Sequence, residues 1–284
     1  MLSLYGGEAK TPNMGRLGNK GLVETAIMLR EPIAIEYFDE KKSAKGIMSD
    51  ILAGSANAMP TLFGEIFLEE DRKASATYEG IIRAIANGKV TSGGISSSLF
   101  SKRLTAKDDP SFVQSYLGVM AQIGLLKRIK VYNKNRFVYK IVSPLMRLFF
   151  YADEKYGISQ RRINDAESER IIDELIPHIV EDNIREHIAA KLGLEENVLE
   201  AKDYEIDGVF LRFKKPVALL EVKWGRKIGG RDIRKVEEKL DRLPAGRKIL
   251  FVRDKAGLRS KSLEIMDVFD LLKLKPQHQE RRSE

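Results

Sequence analysis

The sequence predicts a mixed protein, α+β or α/β, in which helices precede a mixed sheet that is itself flanked by helices. Three observations carry that expectation. Residues 71–150 show three helical patterns followed by two strand-like runs. Residues 160–275 run helix, two extended segments, helix and strand, an order that needs a sheet with a crossover connection. The chain has 284 residues and is 43% hydrophobic, enough for roughly two cores and too apolar for a disordered chain. The division expected is a helical segment over 1–70, a winged helix-turn-helix over 71–152, and a sheet-bearing domain over 153–284.

The elements follow in order. Gly6-Gly7 and the stretch 10–20, with Pro12, Gly15 and Gly18, read as loop. Residues 21–38 place Leu22, Ala26, Ile27, Leu29, Ile33, Ile35 and Phe38 on a helical period that Pro32 interrupts. Two short amphipathic pieces are expected at 46–53 and 60–69. Over 77–87, Tyr78, Ile81, Ile82 and Ile85 share one helical face, and Asn87-Gly88 is a stop. Residues 92–100 form a second short helix or turn. Asp108 or Asp109 caps a third helix with Pro110 at its first position, and Val113, Tyr116, Leu117, Met120 and Ile123 form its apolar face. Strands at 125–132 and 136–142 flank Asn133-Lys134-Asn135. Three helices and a hairpin is the order of a winged helix-turn-helix.

Further along, 167–192 is a long helical pattern in which Pro177 marks a potential break. Extended runs at 204–213 and 216–224 flank a turn at Lys214-Lys215. Gly229-Gly230 opens a charged helix over 231–243, Pro244-Ala245-Gly246 ends it, and 248–253 is a short apolar strand. Residues 262–274 close the pattern as strand or helix, before a polar tail past Pro276.

Composition excludes several chemistries. No cysteine is present, so disulfides, thiolate metal sites and cysteine nucleophiles are excluded. His178 and His187 are nine apart and His278 lies in the tail, so no zinc set is expected. No run approaches roughly 18 apolar residues and the start lacks a signal peptide's basic and apolar regions, so a cytoplasmic protein without a membrane partner is expected. The 32% charged content leans towards a thermophile.

Lys+Arg number 49 against 41 Asp+Glu, a net charge of +8, which suggests a polyanionic partner. In a helix-turn-helix the second helix of the pair enters the major groove, here 111–123. Its expected outward residues, Ser111, Gln114, Ser115 and Gln122, can hydrogen-bond but include no Lys or Arg. The basic residues flank it: Lys102, Arg103 and Lys107 before, then Lys127, Arg128, Lys130, Lys134 and Arg136 on the hairpin. That pattern fits phosphate contact to DNA by loop and wing, with limited base reading. A protein-packing module with a solvated charged rim fits it too. Arg226 and Lys227, after Trp224, form another basic run, equally readable as phosphate contacts or a solvated face.

The most specific chemical signal is Glu205-Ile206-Asp207 followed by Glu221-Val222-Lys223. Along 216–224 the pattern alternates Val217, Leu219, Glu221 and Lys223 with Ala218, Leu220, Val222 and Trp224. Both faces begin apolar, so an internal strand is expected, and two charges continue a face committed to burial. The turn at Lys214-Lys215 brings Asp207 about opposite Glu221. Two close carboxylates repel, and a divalent cation relieves the repulsion. An oxygen-only donor set suits Mg²⁺ or Mn²⁺. Lys223 then holds the attacking water or the developing phosphorane charge. The alternatives are a satisfied ion-pair network at a strand end, or a site that binds without catalysis.

With Asp207 and Glu221-x-Lys223 on a hairpin between helices, the chain resembles the PD-(D/E)XK nuclease superfamily, which implies a restriction-endonuclease-like mixed sheet. The phrases 205–207 and 220–224 are similar to the C-terminal domain of a set of archaeal ATPases, in which an AAA-type module precedes a winged helix and a nuclease-like domain. Tyr78-x-x-Ile81-Ile82-x-x-Ile85-Ala86-x-Gly88, Tyr116-Leu117, Gly124-Leu125-Leu126 and Tyr139-x-Ile141 before Pro144 extend the resemblance, which is strongest from 77 to 253. It implies that 1–70, from about Leu4-Tyr5-Gly6-Gly7, is the tail of the ATPase's helical lid. It also implies a further site residue on the first helix, Glu181 by position, with Glu186 the runner-up. The residue before Asp207 is Ile206 where the family motif has proline. A P-loop needs Gly-x4-Gly-Lys-Ser/Thr. Gly18-Asn19-Lys20-Gly21 and Gly88-Lys89-Val90 do not fit it, so no ATP hydrolysis by this chain alone is expected. The expected function is a Mg²⁺-dependent DNA endonuclease or nickase using Asp207, Glu221, Lys223 and Glu181. The alternative is a non-catalytic DNA-binding or regulatory module that acts with a separate ATPase or as a homo-oligomer.

Overall fold

A computed structural model describes residues 18–39, 41–67 and 72–274. The expected loop at Gly6-Gly7, the Leu4–Gly7 start and the polar tail lie outside those residues. The described residues form ten helices and one seven-stranded mixed sheet.

The N-terminal part is helical. α1 (Gly18–Met28) ends before Pro32, which occupies the first turn of α2 (Pro32–Ile35), so the proline interrupts as its fixed φ and missing donor require. α3 (Ala44–Ile66) differs from the two short pieces expected: it is one helix that runs through Pro60. Ser43 caps it, accepting from the Gly46 amide at 3.1 Å. Ile47, Met48, Ile51, Leu52, Met59 and Phe63 are buried along its length. That continuous stripe outweighs the roughly 3 kcal/mol an interior proline costs.

Next come α4 (Arg72–Ala86), α5 (Ser92–Ser101), α6 (Pro110–Gln122), and a hairpin of β1 (Leu126–Val131) and β2 (Phe137–Ile141). Asp109 is the cap of α6, accepting from the Ser111 amide at 2.9 Å, with Pro110 in its first turn. Asp108 instead accepts from the hydroxyls of Ser96 and Ser97. Val113, Leu117 and Met120 face the core as expected. Ile123 does not: it sits at the C-cap, past the last regular turn, and is 50% exposed.

α7 (Pro144–Tyr156) was not foreshadowed by any periodic pattern. Leu145, Met146, Leu148, Phe149, Phe150 and Ala152 are all buried, and so is Arg147 among them, so the first two turns show no alternation of apolar and polar faces. The aromatic cluster Phe149-Phe150-Tyr151 thus belongs to a packed helix that reaches α3, α4 and α8 (Asp165–Leu192). α8 is unbroken through Pro177 and carries an Asn164–Glu167 capping box.

The remaining elements are β3 (Glu195–Glu200), β4 (Glu205–Arg212), β5 (Lys215–Lys223), α9 (Gly230–Leu240), β6 (Arg247–Val252), β7 (Glu264–Met266) and α10 (Val268–Lys273). Phe213 and Lys214 make the β4–β5 turn with φ of 50° and 65°, the left-handed pair of a tight hairpin. The strand order is β2-β1-β3-β4-β5-β6-β7. β3 was not expected, because Glu195, Glu196, Asn197 and Glu200 carry no apolar alternation. It nevertheless joins the hairpin to the rest of the sheet, pairing parallel to β1 (Val131 with Val198) and antiparallel to β4. The sheet therefore runs across the boundary expected at 152, and one core cluster holds residues from Val23 to Leu271.

β5 lies between β4 and β6. Ala218, Leu220, Val222 and Trp224 pack with α8 in the large core, whereas Leu219 packs with Ile233, Val236 and Leu240 of α9. The alternation read from the sequence is thus the observed division of faces. Among the described residues, no helix is long and apolar enough to cross a membrane.

Candidate functional site

The pairing of Gly208 with Leu220 places Asp207 and Glu221 next to it at the same end of the β4–β5 ladder. Asp207 Oδ2 accepts from the Val222 amide at 2.8 Å, so the carboxylate takes up a donor where the ladder ends. Beneath it, Arg185 of α8 donates to the Asp207 carbonyl at 3.2 Å. Gly208 permits that approach: a Cβ there would lie 3.2 Å from Arg185 Cγ and 3.1 Å from Leu220 Cβ.

Glu221 is 0% exposed. Its Oε1 accepts from Lys223 Nζ at 2.5 Å and from Lys239 Nζ, which comes from the last turn of α9. Its Oε2 is buried and has no hydrogen-bond partner. A carboxylate oxygen held this way is expensive unless a cation meets it.

The electrostatics join four residues. Burial, then the Glu181 charge, then the Glu221 charge push the Asp207 carboxyl up to about 8. Burial alone would lower the Lys223 ammonium, but Glu221 and then Asp207 and Glu181 hold it above its ordinary value. Glu181, one-quarter exposed on α8, stands 3.6 Å from Arg185 and 3.9 Å from His178. Glu186 is directed elsewhere, towards Lys127 at 3.3 Å and Arg30 at 3.5 Å. The fold thus brings Asp207, Glu221, Lys223 and Glu181 together and leaves Glu186 out.

Three features of the site had no signal in the motif. Lys239 is the first. Its position, three residues after the buried Val236, marks the edge of the inward face of α9. Arg185 is the second, fully buried and donating to Glu196 at 2.7 Å and Asp182 at 2.6 Å. The third is Asp182, where burial alone would raise the carboxyl but Lys140, Arg185 and Arg147 hold it far below the carboxylate range. This network ties α8 to the hairpin, to α7 and to β3. A cleft of about 380 Å³ opens beside it, lined by Glu181, Arg185, Asp207, Lys140, Arg147 and the Asn87-Gly88 turn among others.

The expected nucleic-acid contacts divide in two. Lys102 pairs with Glu154, Lys134 donates to the Glu200 carbonyl, Arg136 pairs with Glu200, and Arg226 pairs with Asp232 at 2.6 Å. Gln114 accepts from the Tyr139 hydroxyl at 3.0 Å. Arg103, Lys107, Lys130 and Lys227 are exposed, and among the described residues they carry no ion pair. The outward face of α6 also shows Phe112 and Val119, 42% and 40% exposed, alongside its neutral polar residues.

Among the described residues no three acidic or histidine side chains are arranged to hold a metal ion. Magnesium needs fewer: one or two carboxylates suffice when water and substrate phosphate complete the octahedron. Asp207 and Glu221 match that requirement in donor type, and Glu221 Oε2 is a buried oxygen without a hydrogen-bond partner. No protein-family model, curated protein or solved structure matches the chain.

Proposed function

We propose that the chain binds DNA and hydrolyses its phosphodiester bonds with Mg²⁺ or Mn²⁺ at Asp207 and Glu221, with Lys223 and Glu181 beside them. The observation that carries this reading is Glu221: fully buried, with Oε2 unpartnered, next to a carboxyl that burial and two neighbouring acids hold protonated near neutrality. That is a buried carboxylate oxygen without a partner at the end of two strands, in a mixed sheet flanked by helices. A divalent ion bound there supplies polarisation of a phosphoryl oxygen and a more acidic water.

The chain's own groups divide the remaining roles. Lys223 stays an ammonium, so it is a donor and not a base; it holds the attacking water or the charge on the phosphorane. Arg185 fixes the Asp207 main chain through its carbonyl. Glu181 faces the cleft, where it orients water. Arg103, Lys107, Lys130 and Lys227 supply phosphate contacts.

The test is incubation of plasmid DNA with the purified chain and Mn²⁺. Cleavage that Asp207→Ala and Lys223→Ala abolish is the expected result. No cleavage, or equal cleavage by the variants, overturns the reading.

A second reading has its own support. Two lysines already neutralise Glu221 Oε1, and Lys102, Lys127, Lys134, Arg136 and Arg226, five of the expected phosphate-binding cations, are bonded within the chain. A DNA-binding or regulatory module without catalysis, working beside a separate ATPase, accommodates both. It predicts DNA binding that falls steeply with salt and does not respond to metal.

A further inference from the structure

Glu221 meets two ammonium groups where the Glu-x-Lys motif provides one. Both go to the same oxygen: Lys223 from two residues along β5, and Lys239 from α9, the helix that covers that face. The result is lopsided, because Oε1 carries two cations and Oε2 none. The placement of Lys239 is built into α9. Ile233, Val236 and Leu240 pack that helix on the sheet, and Lys239 lies at the edge of the packed face, 22% exposed. Its head arrives at the strand end, on Glu221 Oε1.

Two-ion sites need a carboxylate that gives one oxygen to each ion, with the ions about 3.5–4 Å apart. Here one of the two oxygens is already taken by fixed ammonium groups. Lys223 and Lys239 both place an ammonium on that one oxygen, and a second divalent ion would have to sit against them.

We propose that Lys239 is a positioning residue that stands where a second cation would otherwise be needed, so that the site takes one divalent ion per chain. With Lys223 it saturates Oε1 and leaves Oε2 as the free ligand atom of Glu221. This rests on the reading of Asp207 and Glu221 as metal ligands.

The experiment is titration of Mn²⁺ into the full chain by calorimetry, with free Mn²⁺ counted by electron paramagnetic resonance, for the wild type, Lys239→Met, Lys239→Arg and Asp207→Asn. The wild type is expected to bind one ion. Lys239→Met, having lost a positive charge beside the ion, is expected to bind it at least about tenfold tighter. Lys239→Arg is expected to keep the wild-type affinity. Two ions on the wild type, or Lys239→Met no tighter than the wild type, overturns the role of Lys239 while leaving the metal site standing, provided Asp207→Asn abolishes binding. No ion on the wild type overturns both. Should Lys239→Met fail to fold, the wild-type count of one against two still decides.

Discussion

Replacing Asp207 by asparagine isolates the electrostatic burden of the site. The folded chain holds this carboxyl at about 8 against an ordinary value of 3.8, chiefly through burial and then through Glu181 and Glu221. The sign follows from proton linkage. Below 3.8 the group is protonated folded and unfolded, and it contributes nothing. Between 3.8 and about 8 only the unfolded chain ionises, so stability falls with rising pH by about 1.4 kcal/mol per unit. Above 8 the loss is complete, with a ceiling on the order of 5 kcal/mol for a shift of that size. Asparagine keeps an acceptor for the Val222 amide, 2.8 Å away in the parent, and never ionises. Urea unfolding of Asp207→Asn and wild type at pH 4, 6 and 8 without divalent metal is the assay. The variant is expected to match the wild type near pH 4 and to exceed it by a few kcal/mol at pH 8. Equal stability at all three, or a less stable variant at pH 8, would refute the reasoning.

Arg185→Met leaves Asp182 and Glu196 without their buried partner, and a destabilisation of about 3–5 kcal/mol is expected by urea unfolding. Arg103→Ala, Lys107→Ala and Lys130→Ala, which remove exposed cations, are each expected to reduce the salt slope of DNA binding by about 0.9. Arg136→Ala, which removes a cation already paired with Glu200, is expected to change it less, as read by fluorescence anisotropy from 50 to 200 mM salt. Trp224→Phe removes the donor that meets the buried Glu24 at 2.9 Å and should lower stability by about 1–3 kcal/mol, measured by thermal unfolding.

The order of elements and the faces of β5 were legible because both rest on local periodicity. Leu219 and Leu220 point to different cores, and the pattern that separates them also commits Glu221 to burial. The pairing of Asp207 with Glu221 was legible from the Lys214-Lys215 turn, which the structure forms at Phe213 and Lys214. What escaped has no local signature. α7 buries every residue from Pro144 to Phe150, Arg147 included, so no polar face marks its period there. β3 is acidic, and Arg185, Lys127 and Arg136 meet Glu196 and Glu200 from α8, β1 and the turn before β2. Contacts that distant in sequence leave no local pattern, so the sheet's continuity across 152 was hidden with them. Lys239 looks like one more charge on a helix whose other exposed positions are charged. Only the packing of Val236 and Leu240 shows where it goes.

The central claim is that a divalent cation completes the pair Asp207 and Glu221. Crystals of the chain grown or soaked with Mn²⁺ and measured at the manganese absorption edge test it directly. An anomalous peak within bonding distance of Glu221 Oε2 and the Asp207 carboxylate is the predicted result. A map with no peak there at saturating Mn²⁺ would contradict it.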